Sequence, residues 1–264
     1  MLGVCGAEGQ DAQQGAQQAP QNPPPSGTSS SSNAANTREF GRRFTAGIIG
    51  SVLPFNLIPG KSTTTENSAS TVSTMNQTTG GSSRYGYGLT GEFRISNHWA
   101  VDVNALYRRI GYQFDQSITT TTTVILNGVT SSNTSTTSSH EDTRARLFDF
   151  PFVVRWYTSA KRPNGPRLFA EGGGAYRFAS GIRTSIDTTD AADNLTCCTN
   201  TPATPANKSS LGIVAGVGLL LIDPFGIHVV PEIRYTRWTD QTFNNMMTVT
   251  TEQNQLEAVF SLSF

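Results

Sequence analysis

Eight segments of this chain alternate apolar and polar residues, and the connections between them run long, short, long, short, long, short, long. Period-two alternation gives an extended strand one apolar and one polar face. Strands joined in turn by wide loops and tight turns close into an all-β, antiparallel up-and-down barrel with one trimmed end and one elaborated end. The pattern predicts strands from about Arg43 to Phe55, Tyr85 to Ser96, Trp99 to Phe114, Arg144 to Tyr157, Arg167 to Gly181, Ser209 to Ile222, Ile227 to Trp238 and Met247 to Phe264.

The polar faces carry charge. In the last strand Leu256, Ala258, Phe260, Leu262 and Phe264 oppose Gln255, Glu257, Ser261 and Ser263; in the fourth, Phe148, Phe150, Phe152, Val154 and Trp156 oppose Asp149 and Arg155. Apolar faces this continuous suit acyl chains, so the barrel is expected to be transmembrane, with the charged faces turned inward. The inward set is Glu92, Asp102, Asp149, Glu171, Glu232 and Glu257 against Arg94, Arg108, Arg155, Arg177 and Arg234. Eight strands leave a lumen only wide enough for side chains, so these groups lose their water and must pair. A plugged lumen is the expectation; a narrow channel for small solutes is the alternative.

Trp and Tyr prefer the two headgroup levels of a bilayer. With both termini in the periplasm, one aromatic girdle is Phe44, Trp99, Trp156, Tyr157, Phe225 and Phe264, and the other Phe55, Tyr85, Tyr87, Tyr107, Tyr176, Tyr235 and Trp238. The short connections Ser96 to His98, Thr158 to Pro166 and Asp223 to Gly226 are rich in turn formers and fall on the periplasmic side. The long ones, Asn56 to Arg84, Asp115 to Thr143, Arg183 to Lys208 and Thr239 to about Met246, are outer loops of Thr, Ser and Asn. Asn127-Gly128 between two apolar runs predicts a type I′ hairpin, continuing the second loop as a ribbon. In the last loop Phe243, Met246 and Met247 read as an exposed apolar cluster. Pro151 and Pro231 fall inside strands, where each removes a ladder hydrogen bond, and bulges are expected at both.

Composition narrows the function classes. A formal net charge of 0 with 14% charged residues offers no basic surface for nucleic acid. The longest apolar run, Leu211 to Ile222, is too short for a spanning helix, which needs roughly 20 residues. Cys5, Cys197 and Cys198 have no ligand-like spacing to the histidines, so no metal site is expected; the adjacent pair is either two free thiols or a disulfide. Residues 1–40 read as a truncated export-signal remnant, with Cys5, Gly6 and Ala7 as a cleavage-site tail or Cys5 as a lipid-modified residue, followed by a disordered Gln/Pro/Ser-rich tether; residues 41–264 form the barrel.

The runs FDFPFVVRWY (Phe148 to Tyr157), RLFAEGGGAYRF (Arg167 to Phe178), GIHVVPEIRYTRW (Gly226 to Trp238) and the terminal LEAVFSLSF resemble the small outer-membrane β-barrel family, related in architecture to OmpA and OmpX. The resemblance implies that the terminal aromatic, Phe264, is an insertion signal read by the barrel-insertion machinery, and that Pro151 and Pro231 occupy positions where such barrels carry proline. The peptidoglycan-binding domain of OmpA has no counterpart in these residues.

The leading expectation is a non-enzymatic, monomeric protein of the bacterial outer membrane, partnered by lipid and presenting Thr/Ser-rich loops for envelope integrity, adhesion or partner binding. It needs no cofactor. A lipid-modifying barrel enzyme would require a nucleophile and a base in contact, and His98, His140 and His228 are the candidate bases. A soluble lipocalin-like barrel would reverse the faces, with Phe148, Phe150, Phe152 and Trp156 inside.

Overall fold

A strand needs hydrogen-bond partners on both edges, and a sheet that returns to its first strand provides them without leaving an edge. The computed structural model describes residues 43–67, 72–158, 166–190, 195–199, 204–222, 225–244 and 248–264. The signal remnant and tether placed at 1–40 lie outside them, as do Met246, Met247 and most of the turn from Thr158 to Pro166. Among the described residues the strands are β1 (Phe44–Val52), β2 (Lys61–Asn67), β3 (Val72–Gly80), β4 (Tyr85–Arg94), β5 (Trp99–Leu126), β6 (Val129–Tyr157), β7 (Arg167–Thr189), β8 (Leu195–Thr199), β9 (Ser209–Ile222), β10 (His228–Trp238) and β11 (Asn254–Ser263). β1 pairs with β4 on one edge and β11 on the other, and the antiparallel partners β4, β5, β6, β7, β9, β10 and β11 lead back to β1. The ring thus passes through eight strands. Its seam is fastened at the chain end, where the Phe264 N–H donates to the Ala46 carbonyl at 3.1 Å.

The remaining strands extend the wall at its long-loop end. β5 and β6 run on past the expected Phe114 and Arg144 as one ladder, from Trp99 opposite Trp156 to Leu126 opposite Val129. Asn127 (φ 50°) and Gly128 (φ 82°) turn the chain in two residues, both in the left-handed region that a type I′ turn requires. Where β4 leaves β5, β3 takes the edge, with Gly80 opposite Tyr112 and Val72 opposite Thr120, and β2 pairs with β3. The stretch from Asn56 to Arg84 therefore contains a hairpin; its β-branched threonines favour strand, and the β5 edge is open to receive it. β7 likewise reaches Thr189 instead of stopping at Gly181, and β8 pairs with its end. The side chains of Cys197 and Cys198, in β8, lie outside the described ones.

Three expectations need correction. No bulge occurs at either proline: Pro151 stands opposite Ala175 and Pro231 opposite Phe260 in unshifted registers, with ladder pairs missing only on the β5 side of Pro151 and the β9 side of Pro231. Losing one N–H interrupts one edge, while the opposite edge holds the register. The irregularity lies instead between Arg144 and Arg146 on β6, where β7 carries an extra residue at Gly181 (φ 61°). The last strand begins at Asn254, not near Met247, because the segment before it folds inward. Phe243 is accordingly not an exposed loop residue. It is fully buried, edge-on to Tyr112 at 5.6 Å, in a cluster with Leu53, Leu57, Ile58, Ile110 and Val249.

That cluster ties separate loops together. The Thr78 hydroxyl donates to Thr248 at 2.8 Å, the Glu252 N–H to the Leu57 carbonyl at 2.7 Å, and the Ala206 N–H to the Thr242 carbonyl at 2.9 Å. Truncating a buried phenyl ring removes transfer energy and leaves a cavity. Phe243→Ala is expected to lower the unfolding free energy by about 3–5 kcal/mol, read from urea titration of the detergent-folded protein; an unchanged midpoint would show that this cluster is not packed.

Candidate functional site

The two faces of the ring are distributed in reverse of a water-soluble protein. Leu256, Phe260 and Phe264 are exposed on the outside, with Ile48, Leu89, Phe152, Ile213 and Ile233, whereas Glu257 is 2% exposed inside. This excludes the lipocalin-like arrangement, which puts apolar side chains at the centre.

Every charged position assigned to the interior is brought into one of two networks of contacts, the larger of them around Arg155. Arg155 is its hub, with Glu92 at 3.1 Å, Asp102 at 3.0 Å, Glu171 at 3.0 Å and Glu232 at 2.8 Å. Arg234 Nε reaches Glu171 at 3.0 Å and Glu232 at 2.8 Å. Toward the long-loop end Arg108 meets Glu257 at 2.8 Å and Asp149 at 3.4 Å, and Arg177 forks onto Asp149 at 2.7 and 2.9 Å. Arg94 pairs with Glu92 at 3.2 Å near the short-turn end and keeps some exposure. Six of the ring strands supply one or two of these groups each, and β1 and β9 none; the ring makes them neighbours.

Small and aromatic residues complete this interior. Gly212, Gly216 and Gly218 face inward on β9, and a Cβ on Gly216 would stand 2.9 Å from Glu171 Oε1, one on Gly218 2.5 Å from the Phe169 ring. Asn104 donates to Asp102 at 2.8 Å, and the Gln255 oxygen accepts from Arg177 and, at 3.1 Å, from the Trp238 indole N–H. Trp238 also stacks on Arg177 at 3.9 Å, and the Tyr157 hydroxyl donates to Glu92 at 2.7 Å. Both were assigned to the aromatic girdles; both are buried inside. Alternation carries the signal, because Trp156 and Tyr235 point outward and odd separations from them must point inward.

The other girdle positions, Trp99, Trp156, Tyr85, Tyr87 and Tyr235, do face outward. Trp99 stands opposite Trp156 near the short-turn end, and Tyr87, Tyr107 and Phe148 make a row near the other, with centroids 5.3 and 5.4 Å apart.

The histidines are separated. His98 is exposed in the Ser96–Trp99 turn and His228 is buried at a strand end. On the ribbon, His140 Nδ1 lies 2.6 Å from Asp115 in a crevice of about 270 Å³ with Ser117, Ser138 and Asp187; none of these hydroxyls bonds the ring, so no nucleophile–base pair is assembled. Among the described residues no cluster of three metal-ligating side chains occurs.

The reversed faces and charged interior agree with a match to the family model described as outer membrane protein beta-barrel domain, over residues 18–237. The chain belongs to the outer membrane β-barrel family. Membership places it in the bacterial outer membrane. Among solved structures it is similar to the translocator domain of the autotransporter NalP from Neisseria meningitidis, at 11% identity, 88% of this chain, 96% of that one and a TM-score of 0.27. A likeness that loose carries no argument. No curated protein matches the chain.

Two outcomes follow from this family member's interior and ribbon. Arg155→Met strips four buried carboxylates of their shared cation and should cost about 3–5 kcal/mol, seen as a lowered urea midpoint; a midpoint within error of the parent would mean the four acids are neutral without it. The hydrogen bond that His140 donates to the Asp115 carboxylate, reinforced by the Asp115, Asp187 and Asp142 charges, raises the His140 pKa above its ordinary value despite slight desolvation. A raised folded pKa stabilises the ribbon fully below the ordinary histidine value, and the gain is lost as pH rises through the folded value. An NMR titration should show His140 titrating above a free imidazole and falling back in Asp115→Asn; a parent value at or below the free imidazole would contradict the contact.

Proposed function

We propose that the protein is a monomeric, eight-stranded up-and-down transmembrane barrel with both termini periplasmic and a plugged lumen, and that it acts by surface contact, without catalysis. The observation that carries this reading is the β5–β6 ribbon. It holds no charged residue from Gln116 to Ser139, its hydroxyls pair across the strands (Thr119 with Thr136 and Thr121 with Thr134, each at 3.2 Å), and it ends in exposed Val124, Ile125, Leu126 and Val129. An apolar tip on a polar stalk is costly in water and useful only against a partner. The Thr/Ser-rich loops would then serve adhesion, envelope integrity or partner binding, with the wall as anchor in lipid and Phe264 read by the barrel-insertion machinery.

A plugged lumen is favoured by the fully desolvated ion pairs and by the loop cluster around Phe243 packed over them. One observation favours the narrow channel instead: Nη1 of Arg108 and both Nη atoms of Arg234 are buried without hydrogen-bond partners, donors that a passing anion would satisfy. Against the lipid-modifying alternative, the His140 ring is engaged by the Asp115 carboxylate and not by a hydroxyl.

Planar-bilayer recording separates the first two, since a plugged barrel gives flat traces and resolved steps would favour the channel. Replacing Ile118 to Thr137 by a two-residue turn should leave heat-dependent gel migration unchanged and abolish adhesion or aggregation of expressing cells; equal adhesion by both forms would remove the contact role from the ribbon.

A further inference from the structure

Just beyond the outward row of Tyr107, Phe148 and Phe178, the wall carries four arginines on its outer face. Arg109 on β5 stands directly opposite Arg146 on β6, and Arg144, two residues along the same face, directly opposite Arg183 on β7. Directly opposed side chains in an antiparallel pair have Cβ atoms about 4.5–5.5 Å apart, and like charges there are destabilising. Two such oppositions share one patch. Its own compensation is slight: Asp142 holds Arg144 at 2.7 Å, Arg109 donates to the Tyr107 hydroxyl at 3.3 Å, and neither Arg146 nor Arg183 makes an ion pair or side-chain hydrogen bond among the described residues. Asp115, His140 and Asp187 lie in a separate row farther along the ribbon.

The backbone is shaped around this cluster. The extra residue of β7 falls between the partners of Arg144 and Arg146, with Gly181 in the left-handed conformation and the Arg146 side chain 3.6 Å from where a Cβ on Gly181 would stand. Such a bulge re-aims side chains locally. Here it lets Arg183 swing level with Arg144 while Arg146 lies across the gap.

We propose that Arg109, Arg144, Arg146 and Arg183 form a binding site for the phosphate groups of an outer-leaflet lipid. The inference rests on the transmembrane reading above. Guanidinium groups match phosphate oxygens in two-point contacts, and one multiply phosphorylated headgroup relieves both arginine oppositions at once. The source is a lipid, not a soluble polyanion, because the patch begins one outward position past the aromatic row that marks the headgroup level. Below it Phe148, Phe150, Phe152 and Val103 offer a continuous apolar track for the acyl chains.

The test uses the full chain folded in detergent and analysed by native mass spectrometry with lipid A carrying two phosphates, the same lipid dephosphorylated, and inorganic phosphate in excess. The parent should retain the bisphosphorylated lipid at least about tenfold more tightly than the dephosphorylated one; Arg146→Gln with Arg183→Gln should remove that preference, the corresponding lysine pair should keep part of it, and inorganic phosphate should not displace the lipid. Equal retention of both lipids by a parent that shows heat-dependent gel migration and protease-resistant insertion overturns the site alone. Displacement by inorganic phosphate makes the site one for soluble anions and also overturns it. A parent that does not insert overturns the transmembrane reading and the site with it.

Discussion

An ionised side chain removed from water must be neutralised within hydrogen-bonding reach, or the fold that buries it is lost. In this protein that requirement governs the whole ring. Arg155 touches carboxylates from β4, β5, β7 and β10, so the hub forms only when strands distant in sequence stand at one level. A slip of one residue between any two strands would send an acid or a guanidinium to the outer face. Backbone pairing closes the ring, and the charges make one register far better than its neighbours.

The glycines of β9 show how closely the interior is filled. Gly216 yields its side-chain volume to Glu171 and Gly218 to Phe169, so β9 contributes space where its neighbours contribute bulk. At the long-loop end the filling changes character, from paired charges to the apolar cluster of Phe243, Ile58 and Tyr112. Ions and hydrocarbons thus occupy successive layers along one axis.

Most of the ring was legible because a strand's two faces are written in alternate letters. The pairings of Arg108 with Glu257 and of Arg177 with Asp149 follow once Leu256 and Phe150 are turned outward. Tyr157 and Trp238 were misplaced where a general preference of aromatic residues for headgroups was set above parity, and parity was the stronger rule. Phe243 was illegible for another reason: an apolar residue in a polar loop has no periodicity, and its burial depends on Leu53, Leu57 and Ile58, almost 200 positions earlier. The hairpin of β2 and β3 was hidden likewise, since threonine-rich polar sequence reads equally as loop until an open strand edge such as that of β5 is at hand. The bulge at Gly181 had no sequence signal beyond the glycine itself.

The shared register from Trp99 to Leu126, interrupted only beside Pro151, has a mechanical consequence. Because the ribbon and the wall are the same two strands, a force applied at the tip runs along their axes and reaches β4 and β7 as shear. Hydrogen bonds loaded in shear yield together, not one after another, so the projection behaves as a stiff lever rooted across the width of the ring.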